Sequence, residues 1–308
     1  SMLIKQEDPL VQWLLSGDVA VQYQVWRDLL GQERPALQHD ILKQGWGCAI
    51  LAKRHADGSW GDGFYQPKWT SSHYTLLELK NLAADPANAL LQESAQLIAR
   101  TEKVGDGGVG PGKTLAQSDV CVNGMFLNYA SYFGVSQSDL ASVVDFLIGQ
   151  HMGDGGFNCR SNRSGAVHSS LHSTVSVLEG ICAYRNAGHA YRVAELDEIA
   201  RGCVDFMLMH RLYKSDRTGA IIHRDFLKLP YPWRWRYTIL RALDCLAQWG
   251  IAWDPVGAIK AKRGKDGRWK TNAPFRGDVH VTMEKAGMPG RWNTLIALRA
   301  LQHFGQLS

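Results

Sequence analysis

A short turn motif recurs along the chain at nearly regular intervals. The turn glycines of successive copies lie about 48 residues apart, with one longer step of about 64. A period of this length is typical of folds in which similar pairs of secondary-structure elements stack on one another. The copies are ADGSWGDGF at 56–64, GDGGVGPGK at 105–113, GDGGFNCRS at 153–161 and KDGRWKTNA at 265–273, with a degenerate one, DRTGAIIHR, at 216–224.

Helix-like sequence lies on both sides of these turns. Residues 140–152, before the third turn, carry one apolar stripe, which is typical of an outer helix. The stretches that follow the turns are more apolar, and 291–305 leaves almost no polar face, which indicates burial on several sides. Several of them end in glycine, as a helix C-terminus favours. We expect inner helices at 71–83, 119–134, 171–184, 235–250 and 291–305, with a related N-terminal stretch at 21–31.

This pattern predicts an all-α fold without a significant β-sheet. An open array would need polar end repeats, whereas the last repeat here is among the most apolar. We therefore expect an α/α toroid, a closed double ring of about six helix pairs. The expected organisation is one domain over 1–308, with an N-terminal helical segment at 1–40 and the repeat ring at 41–308. The longer step, at about 212–235, is expected to be an inserted loop over one face.

Charge and composition argue against several classes of function. The net charge of +5 is dispersed, and without a block of Lys and Arg we expect no nucleic-acid partner. No apolar stretch approaches the roughly 18 residues of a membrane span, and no signal-peptide pattern is present. Six cysteines without a tight framework indicate reduced thiols or metal ligands, so we expect a cytoplasmic protein. Phosphate-binding and dinucleotide motifs are absent, which predicts no nucleotide cofactor.

Two segments carry a resemblance to a known superfamily. QHMGDGGF at 150–157 is similar to the Q-x-x-x-(D)-G-x-aromatic signature of squalene–hopene cyclases. GGFNCRSNR at 155–163 resembles the Gly-Gly-Phe-x-x-Arg-x-Asn-Lys/Arg loop of protein prenyltransferase β subunits. From about residue 40 onward the chain thus resembles the terpenoid cyclase and protein prenyltransferase superfamily, as a bacterial-type single-chain member. The Asp-x-Asp-Asp acid of the cyclases is absent from the sequence, so squalene-type cyclisation is not expected.

The resemblance also implies a zinc site. Prenyltransferase β subunits hold zinc with an Asp-x-Cys pair and a His, at the starts of inner helices in two successive repeats. Here those roles would pass to Asp119, Cys121 and His172, with a fourth position open as in catalytic zinc sites. His168, four residues before His172, is a weaker ligand candidate. The alternative is that Asp119 caps a helix and Cys121 is a small buried residue, while Cys159 is either a further ligand or a bystander.

Further residues are expected to bind the substrate. Arg160 and Arg163 match the basic positions that prenyltransferases use on the diphosphate of the isoprenoid donor, and the alternative is that they are exposed loop residues. Aromatic and imidazole side chains at helix starts suit the wall of an apolar cavity, although packing between helices would also explain them. These residues are His73, Tyr74, Trp235, Tyr237 and Trp292.

The sequence therefore favours a prenyltransferase-like or terpene cyclase-like protein that binds an isoprenoid or another apolar small molecule in a central cavity. The reaction would be metal-assisted and of transferase or cyclase type. The alternative is a non-catalytic toroid that binds a lipid, a peptide or a protein partner, which the sequence does not identify. A hydrolase or a polysaccharide-active toroid is less favoured, because no aromatic–carboxylate pairing is visible.

Overall fold

The chain is all-helical in the computed structural model, which describes residues 4–110, 117–159, 165–251, 256–305 and 307. These residues form thirteen α-helices and four isolated β-bridges, and they contain no sheet. The all-α class expected from the sequence is confirmed, and so is the lack of a significant β-sheet among the described residues. Within that part of the chain, no helix combines the length and apolarity that crossing a bilayer would require.

The N-terminal part contains four short helices. They are α1 (Pro9–Leu15), α2 (Val19–Gln24), α3 (Pro35–Asp40) and α4 (Gly45–Leu51), and α2 continues into one turn of π-helix over Val25–Leu29. Nine helices follow them. They are α5 (Ser72–Asn81), α6 (Ala89–Thr101), α7 (Val120–Tyr132), α8 (Gln137–Gly149), α9 (Leu171–Asn186), α10 (Val193–Met209), α11 (Ile239–Gln248), α12 (Val256–Lys260) and α13 (Arg291–His303).

The five helices predicted after the turns are α5, α7, α9, α11 and α13. Four of them begin within one residue of the predicted start. The fourth in order, α11, begins at Ile239 rather than at 235, because Thr238 is extended and its hydroxyl caps the helix by accepting from the Arg241 backbone N–H. The predicted outer helix at 140–152 is α8, which begins and ends three residues earlier.

The inner helices contact one another in chain order. Helix α5 packs on α7, α7 on α9, α9 on α11, and α11 on α13. Helix α13 then packs on α2 and its π-helical continuation, and the Gln24 side chain of α2 donates to the Asn81 carbonyl of α5 over 2.8 Å. Helices α6, α8 and α10 lie outside this series, each packed against an inner helix, with α8 touching both of the other two.

The repeated turns share a backbone conformation at their glycines. The turn glycines have positive φ angles, a conformation that glycine adopts without steric cost. They are Gly58, Gly107, Gly155, Gly219 and Gly267. Two residues later the chain inserts a fully buried side chain in four of the five copies: Trp60, Val109, Phe157 and Trp269. The degenerate copy differs, because Ile221 is 47% exposed.

Each of these four buried residues donates its backbone N–H to a side chain of the next inner helix. The acceptors are Ser72 Oγ, Asn123 Oδ1, Thr174 Oγ1 and Thr294 Oγ1, at distances of 2.9, 2.8, 3.1 and 3.0 Å. A buried N–H without a partner would cost about 1–3 kcal/mol, so this bond fixes how the turn meets its helix. Trp60 and Trp269 add a second bond from their indole N–H to the carbonyls of Ile50 and Ile259.

The insertion at 212–235 contains no α-helix and only one 3₁₀ turn, Arg224–Leu227. It is a loop, as expected, and part of it is buried. Tyr231 and Trp233 are buried, and the Tyr231 ring stacks on Trp292 of α13 with centroids 5.3 Å apart. The loop therefore contributes to the core.

Helices α7 and α9 approach so closely that their backbones touch. A Cβ built on Gly124 would lie 2.8 Å from the backbone of Ser176, and one on Gly180 would lie 2.5 Å from the Gly124 carbonyl oxygen. Both distances are shorter than any contact that a real side chain makes, so only glycine fits at these crossing points. This pair is the most extensive helix contact in the described part of the chain.

Replacing Gly124 with alanine should lower the free energy of unfolding by about 1–3 kcal/mol, because the backbone of α9 must move to admit the methyl group. Gly149, the last residue of α8, is the matched control, since a Cβ there meets nothing within 4 Å. Alanine at 149 should leave stability unchanged or raise it by up to about 1 kcal/mol. Urea denaturation of both variants measures the difference. Equal effects would contradict the close approach of α7 and α9.

Candidate functional site

The start of α7 places the first two candidate residues. Asp119 is the N-cap, and its Oδ1 accepts from the Val122 backbone N–H over 3.1 Å. Capping of this kind begins a helix because it satisfies one of the N–H groups that have no partner in the first turn. The capping role weighed for Asp119 in the sequence is therefore correct. It also orients the carboxylate toward Cys121, which lies in the first turn of α7.

Cys159 reaches the same point from the loop of the next repeat. It follows the buried Phe157, and its backbone N–H donates to Ser173 Oγ of α9 over 3.1 Å. Its sulfur accepts from the Cys121 backbone N–H at 3.2 Å. Cys159 is thereby tied to both α7 and α9. It lies in one cluster with Asp119 and Cys121, and its role as a ligand stays a prediction.

The three side chains form a compact donor cluster. Cys159 Sγ lies 2.7 Å from Cys121 Sγ and 3.1 Å from Asp119 Oδ1, and the Ser173 hydroxyl lies 3.1 and 3.2 Å from the two sulfurs. In the described part of the chain, no other group of three His, Cys, Asp or Glu side chains brings its ligand atoms within 4.8 Å of one another. A thiol has a single hydrogen, so Cys159 cannot donate to both neighbours at once. Cys121 and Ser173 each carry a hydrogen as well, so the cluster can satisfy its contacts internally, while its two sulfurs and its carboxylate are also ligand atoms for a metal cation.

The Cys121 thiol keeps its proton when only protein groups surround it. The contact with Cys159 raises the pKa of Cys121 well above its usual value, and burial and the charge of Asp119 raise it further. A bound cation reverses this balance, because thiols become metal ligands by losing their proton.

The donor set fits a zinc ion in its chemistry. Thiolate and carboxylate ligands are both common at zinc, and three protein ligands leave one position open. Two thiolates around a tetrahedral zinc lie about 3.8 Å apart for bonds of about 2.3 Å, so the sulfurs here would have to separate. Cys159 is half-buried and lies in a loop, so its side chain can supply that movement.

Two tyrosines adjoin the cluster, and only one of them was expected. The hydroxyls of Tyr65 and Tyr74 lie 3.4 Å apart. Burial raises the pKa of Tyr65, and the nearby Asp119, Cys121 and Cys159 raise it further. The sequence analysis did not identify Tyr65, because it lies in the loop that follows the first turn. In a loop, the sequence does not predict which way a side chain points. Its position next to Phe64 in GDGFY is the only hint.

His172 is not among the three clustered residues, and its hydrogen bonding opposes metal ligation. Its Nδ1 accepts from the Tyr237 backbone N–H over 2.8 Å, so the hydrogen of the neutral ring lies on Nε2. Burial and the nearby Arg241 lower its pKa to about 4, which keeps the ring neutral. Its ring packs against Trp235 and Phe226 at centroid distances of 5.1 and 5.4 Å. The third donor side chain beside Asp119 and Cys121 is therefore Cys159 rather than His172, and zinc binding stays a prediction.

The remaining residues predicted to bind metal or substrate lie in separate parts of the structure. His168 is exposed in the loop before α9 and is not part of the cluster. Arg160 and Arg163 lie outside the described residues. Trp235 and Tyr237 are brought together with His172, as described above. Trp292 lies elsewhere, in a stack with Trp46 and Tyr231.

His73 is packed among aromatic rings at the start of α5. Its ring lies 4.8 Å from Tyr74 and 5.4 Å from Phe64, and its Nδ1 hydrogen-bonds the Tyr129 hydroxyl over 2.8 Å. The packing alternative describes it best, because it is fully buried. Through Tyr74 and Tyr65 it nevertheless connects to the thiol cluster.

Comparison of the sequence with models of known protein families gives no match, and comparison with curated proteins gives none either.

Replacing His73 with glutamine should reduce the acid sensitivity of the fold. Burial lowers the pKa of His73 to about 3, whereas an unfolded histidine titrates near about 6.5. Between these values only the unfolded chain binds the proton, so stability falls as the pH drops, by up to about 1.4 kcal/mol per pH unit. The free energy of unfolding, measured with urea at pH 6.5, 5.5 and 4.5, should fall less steeply with decreasing pH in the variant, by up to that amount per pH unit. An identical pH dependence in both proteins would mean that His73 binds its proton equally well in the folded and the unfolded chain, which would contradict its lowered pKa.

Proposed function

We propose that this protein is a zinc-dependent enzyme of prenyltransferase or terpene cyclase type, with Asp119, Cys121 and Cys159 as the metal ligands. The observation that carries the proposal is the contact of two thiols and a carboxylate at the start of α7. Three ligands with an open fourth position are characteristic of catalytic zinc, whereas structural zinc is closed by four protein ligands. Bound there, zinc would act as a Lewis acid and activate a thiol or a water.

The protein groups around the ligands would orient them and limit access. Ser173 contacts both sulfurs and also binds the backbone of Cys159, which holds the two repeats together at this point. The phenols of Tyr65 and Tyr74 stay protonated, since burial raises the pKa of each. They can therefore donate hydrogen bonds to an oxygen that develops negative charge.

The proposed architecture is an α/α toroid. It is supported by the series of contacts that runs from α5 through α7, α9, α11 and α13 to α2, and by the Gln24–Asn81 hydrogen bond from α2 to α5. In such a ring, the thiol cluster lies at the N-terminal ends of the inner helices, since Asp119 and Cys121 begin α7.

The proposed substrate is an isoprenoid or a similar apolar molecule. Support comes from the aromatic side chains near the ligands, among them Tyr65 and Tyr74, with Trp69 packed 4.9 Å from Tyr74. Aromatic faces attract apolar chains and also stabilise carbocations through the ring quadrupole. A non-catalytic toroid that binds a lipid, a peptide or a protein partner is the alternative.

Zinc binding tests the ligand set directly. Protein stripped with a chelator and then dialysed against zinc should retain one equivalent by elemental analysis. Substituting Asp119, Cys121 or Cys159 with alanine should abolish retention, because two remaining ligands hold zinc weakly. Cobalt substitution should give the absorption bands of thiolate coordination in the native protein and lose them in the cysteine variants.

Two variants serve as controls. Cys48→Ala removes a half-buried cysteine that is not in the cluster, and it should retain zinc. His172→Ala should also retain it. Loss of zinc in the His172 variant together with retention in Cys159→Ala would restore the ligand set expected from the sequence. Absence of zinc from the native protein would end the metal proposal.

The substrate class has its own test. In zinc-loaded protein incubated with a prenyl diphosphate and a small thiol, the thiol sulfur should displace diphosphate from the prenyl carbon and lose its proton to solvent. Mass spectrometry should detect the resulting thioether, and Cys121→Ala should form none. Zinc retention without binding of the prenyl diphosphate would support the non-catalytic alternative.

A further inference from the structure

The two sulfurs of the thiol cluster, which comprises Asp119, Cys121 and Cys159, lie very close together. Cys159 Sγ is 2.7 Å from Cys121 Sγ. A disulfide bond is about 2.05 Å long, whereas two thiolates on one tetrahedral zinc ion lie about 3.8 Å apart. The sulfurs would thus have to approach by about 0.7 Å to form a disulfide and to separate by about 1.1 Å to hold zinc. The reduced pair lies nearer to the disulfide.

Backbone hydrogen bonds on both sides hold the sulfurs at this point. The Cys121 backbone N–H, in the first turn of α7, donates to Cys159 Sγ over 3.2 Å. The Cys159 backbone N–H donates to Ser173 Oγ over 3.1 Å. Two residues earlier, the Phe157 backbone N–H donates to Thr174 Oγ1, also over 3.1 Å. These bonds to α7 and α9 bring a loop cysteine against a helix cysteine, which is the contact that a disulfide needs.

The other four cysteines have no such neighbour. All six cysteines belong to the described part of the chain, and all are free thiols. Among these residues, no second pair of cysteines has its sulfurs in hydrogen-bonding contact. The remaining four are the half-buried Cys48 and the buried Cys182, Cys203 and Cys245. Cys121 and Cys159 are therefore the pair that an oxidant can join most readily.

Cys159 is the sulfur that a reagent from solvent reaches first. It is half-buried and lies in a loop. Cys121 lies in the first turn of a helix and is less free to turn toward solvent. Exposed thiols oxidise more readily than buried ones, and a second thiol in contact converts the first oxidation product into a disulfide.

We propose that Cys121 and Cys159 form a redox-active pair that a hydroperoxide converts to a disulfide, and that this disulfide switches off metal binding at the cluster. The disulfide follows from the contact of the two thiols alone. Its effect on metal binding rests on the proposed function, because the disulfide regulates zinc only if the cluster binds zinc.

The reaction takes two balanced steps. The Cys159 sulfur attacks one oxygen of the hydroperoxide, the O–O bond breaks, and the other oxygen leaves with the thiol proton as an alcohol, or as water when the oxidant is hydrogen peroxide. Cys159 is then a sulfenic acid. The Cys121 sulfur attacks the Cys159 sulfur, the S–O bond breaks, and the hydroxide leaves as water with the Cys121 proton. The two thiols are oxidised by two electrons, and the hydroperoxide is reduced by two.

The disulfide and the metal exclude each other. Zinc is bound by thiolates, so the bridge would leave Asp119 as the single ligand of the cluster. Conversely, zinc bound as proposed would hold the sulfurs about 3.8 Å apart, which is too far for a bond. In a reducing compartment the two thiols would be restored, which is the behaviour of redox-sensing disulfides rather than structural ones.

Limited oxidation of the native chain tests the disulfide. Metal-stripped protein treated with hydrogen peroxide should lose two hydrogens by intact mass spectrometry, and peptide mapping without reductant should find Cys121 joined to Cys159. Dithiothreitol should restore the original mass. Cys48→Ala should behave like the native protein, and Cys159→Ser should form no disulfide. A bridge between other cysteines, or uptake of oxygen by the native chain without a bridge, would overturn the proposal.

Zinc retention tests the regulation separately. Fully oxidised protein dialysed against zinc should retain none, and dithiothreitol should restore retention of one equivalent. Zinc-loaded protein should form the disulfide at least about tenfold more slowly than stripped protein, because the metal occupies both sulfurs. Retention of zinc by the oxidised protein would overturn the regulatory part. If the disulfide forms but the reduced protein binds no zinc, the proposed zinc enzyme fails and the redox-active pair stands.

Discussion

The hydrogen bond from each turn to its inner helix is the constraint on which the rest of this structure depends. In four repeats a buried backbone N–H, two residues after the turn glycine, binds a hydroxyl or amide of the following helix. The loop between the two partners varies widely in length, from Trp60–Ser72 to Trp269–Thr294. The hydrogen bond is the same in repeats with loops of different length, because an unpaired N–H in the core would destabilise the fold regardless of the loop. The loop sequence can therefore vary, as in the segment that brings Cys159 next to Cys121.

The helices could be predicted from the sequence because the apolar period and the helix-end signals agree. Helices α5, α7, α9 and α13 begin within a residue of the prediction. The predicted start of α11 was wrong by four residues. The aromatic and basic residues before Thr238 resemble helical sequence, but the helix begins only after the Thr238 cap. The closed ring itself remains a proposal, since periodicity defines which helices are buried and not how a series of them ends.

The site was only partly accessible to sequence reasoning. Asp119 and Cys121 could be found because both lie on a helix start, where spacing determines geometry. The sequence offered no reason to place Cys159 rather than His172 beside Asp119 and Cys121. The position of a loop residue depends on the path of the loop backbone, which residue spacing does not predict. The backbone N–H of Tyr237 occupies His172 Nδ1, and that contact crosses from one repeat to the next.

The contact of α13 with α2 and its π-helical continuation has a consequence for how the chain reaches its native state. Arg299 of α13 donates to Gln24 and Asp28 over 2.7 and 3.1 Å, across more than 270 positions of sequence. Contacts of such long sequence separation form late and slow the search for the native topology. The α-helical pairs between them can assemble from local contacts, but the N-terminal helices gain their remaining partners only when α13 arrives. Folding of this protein should therefore populate an intermediate in which the middle repeats are formed and the two ends are still apart.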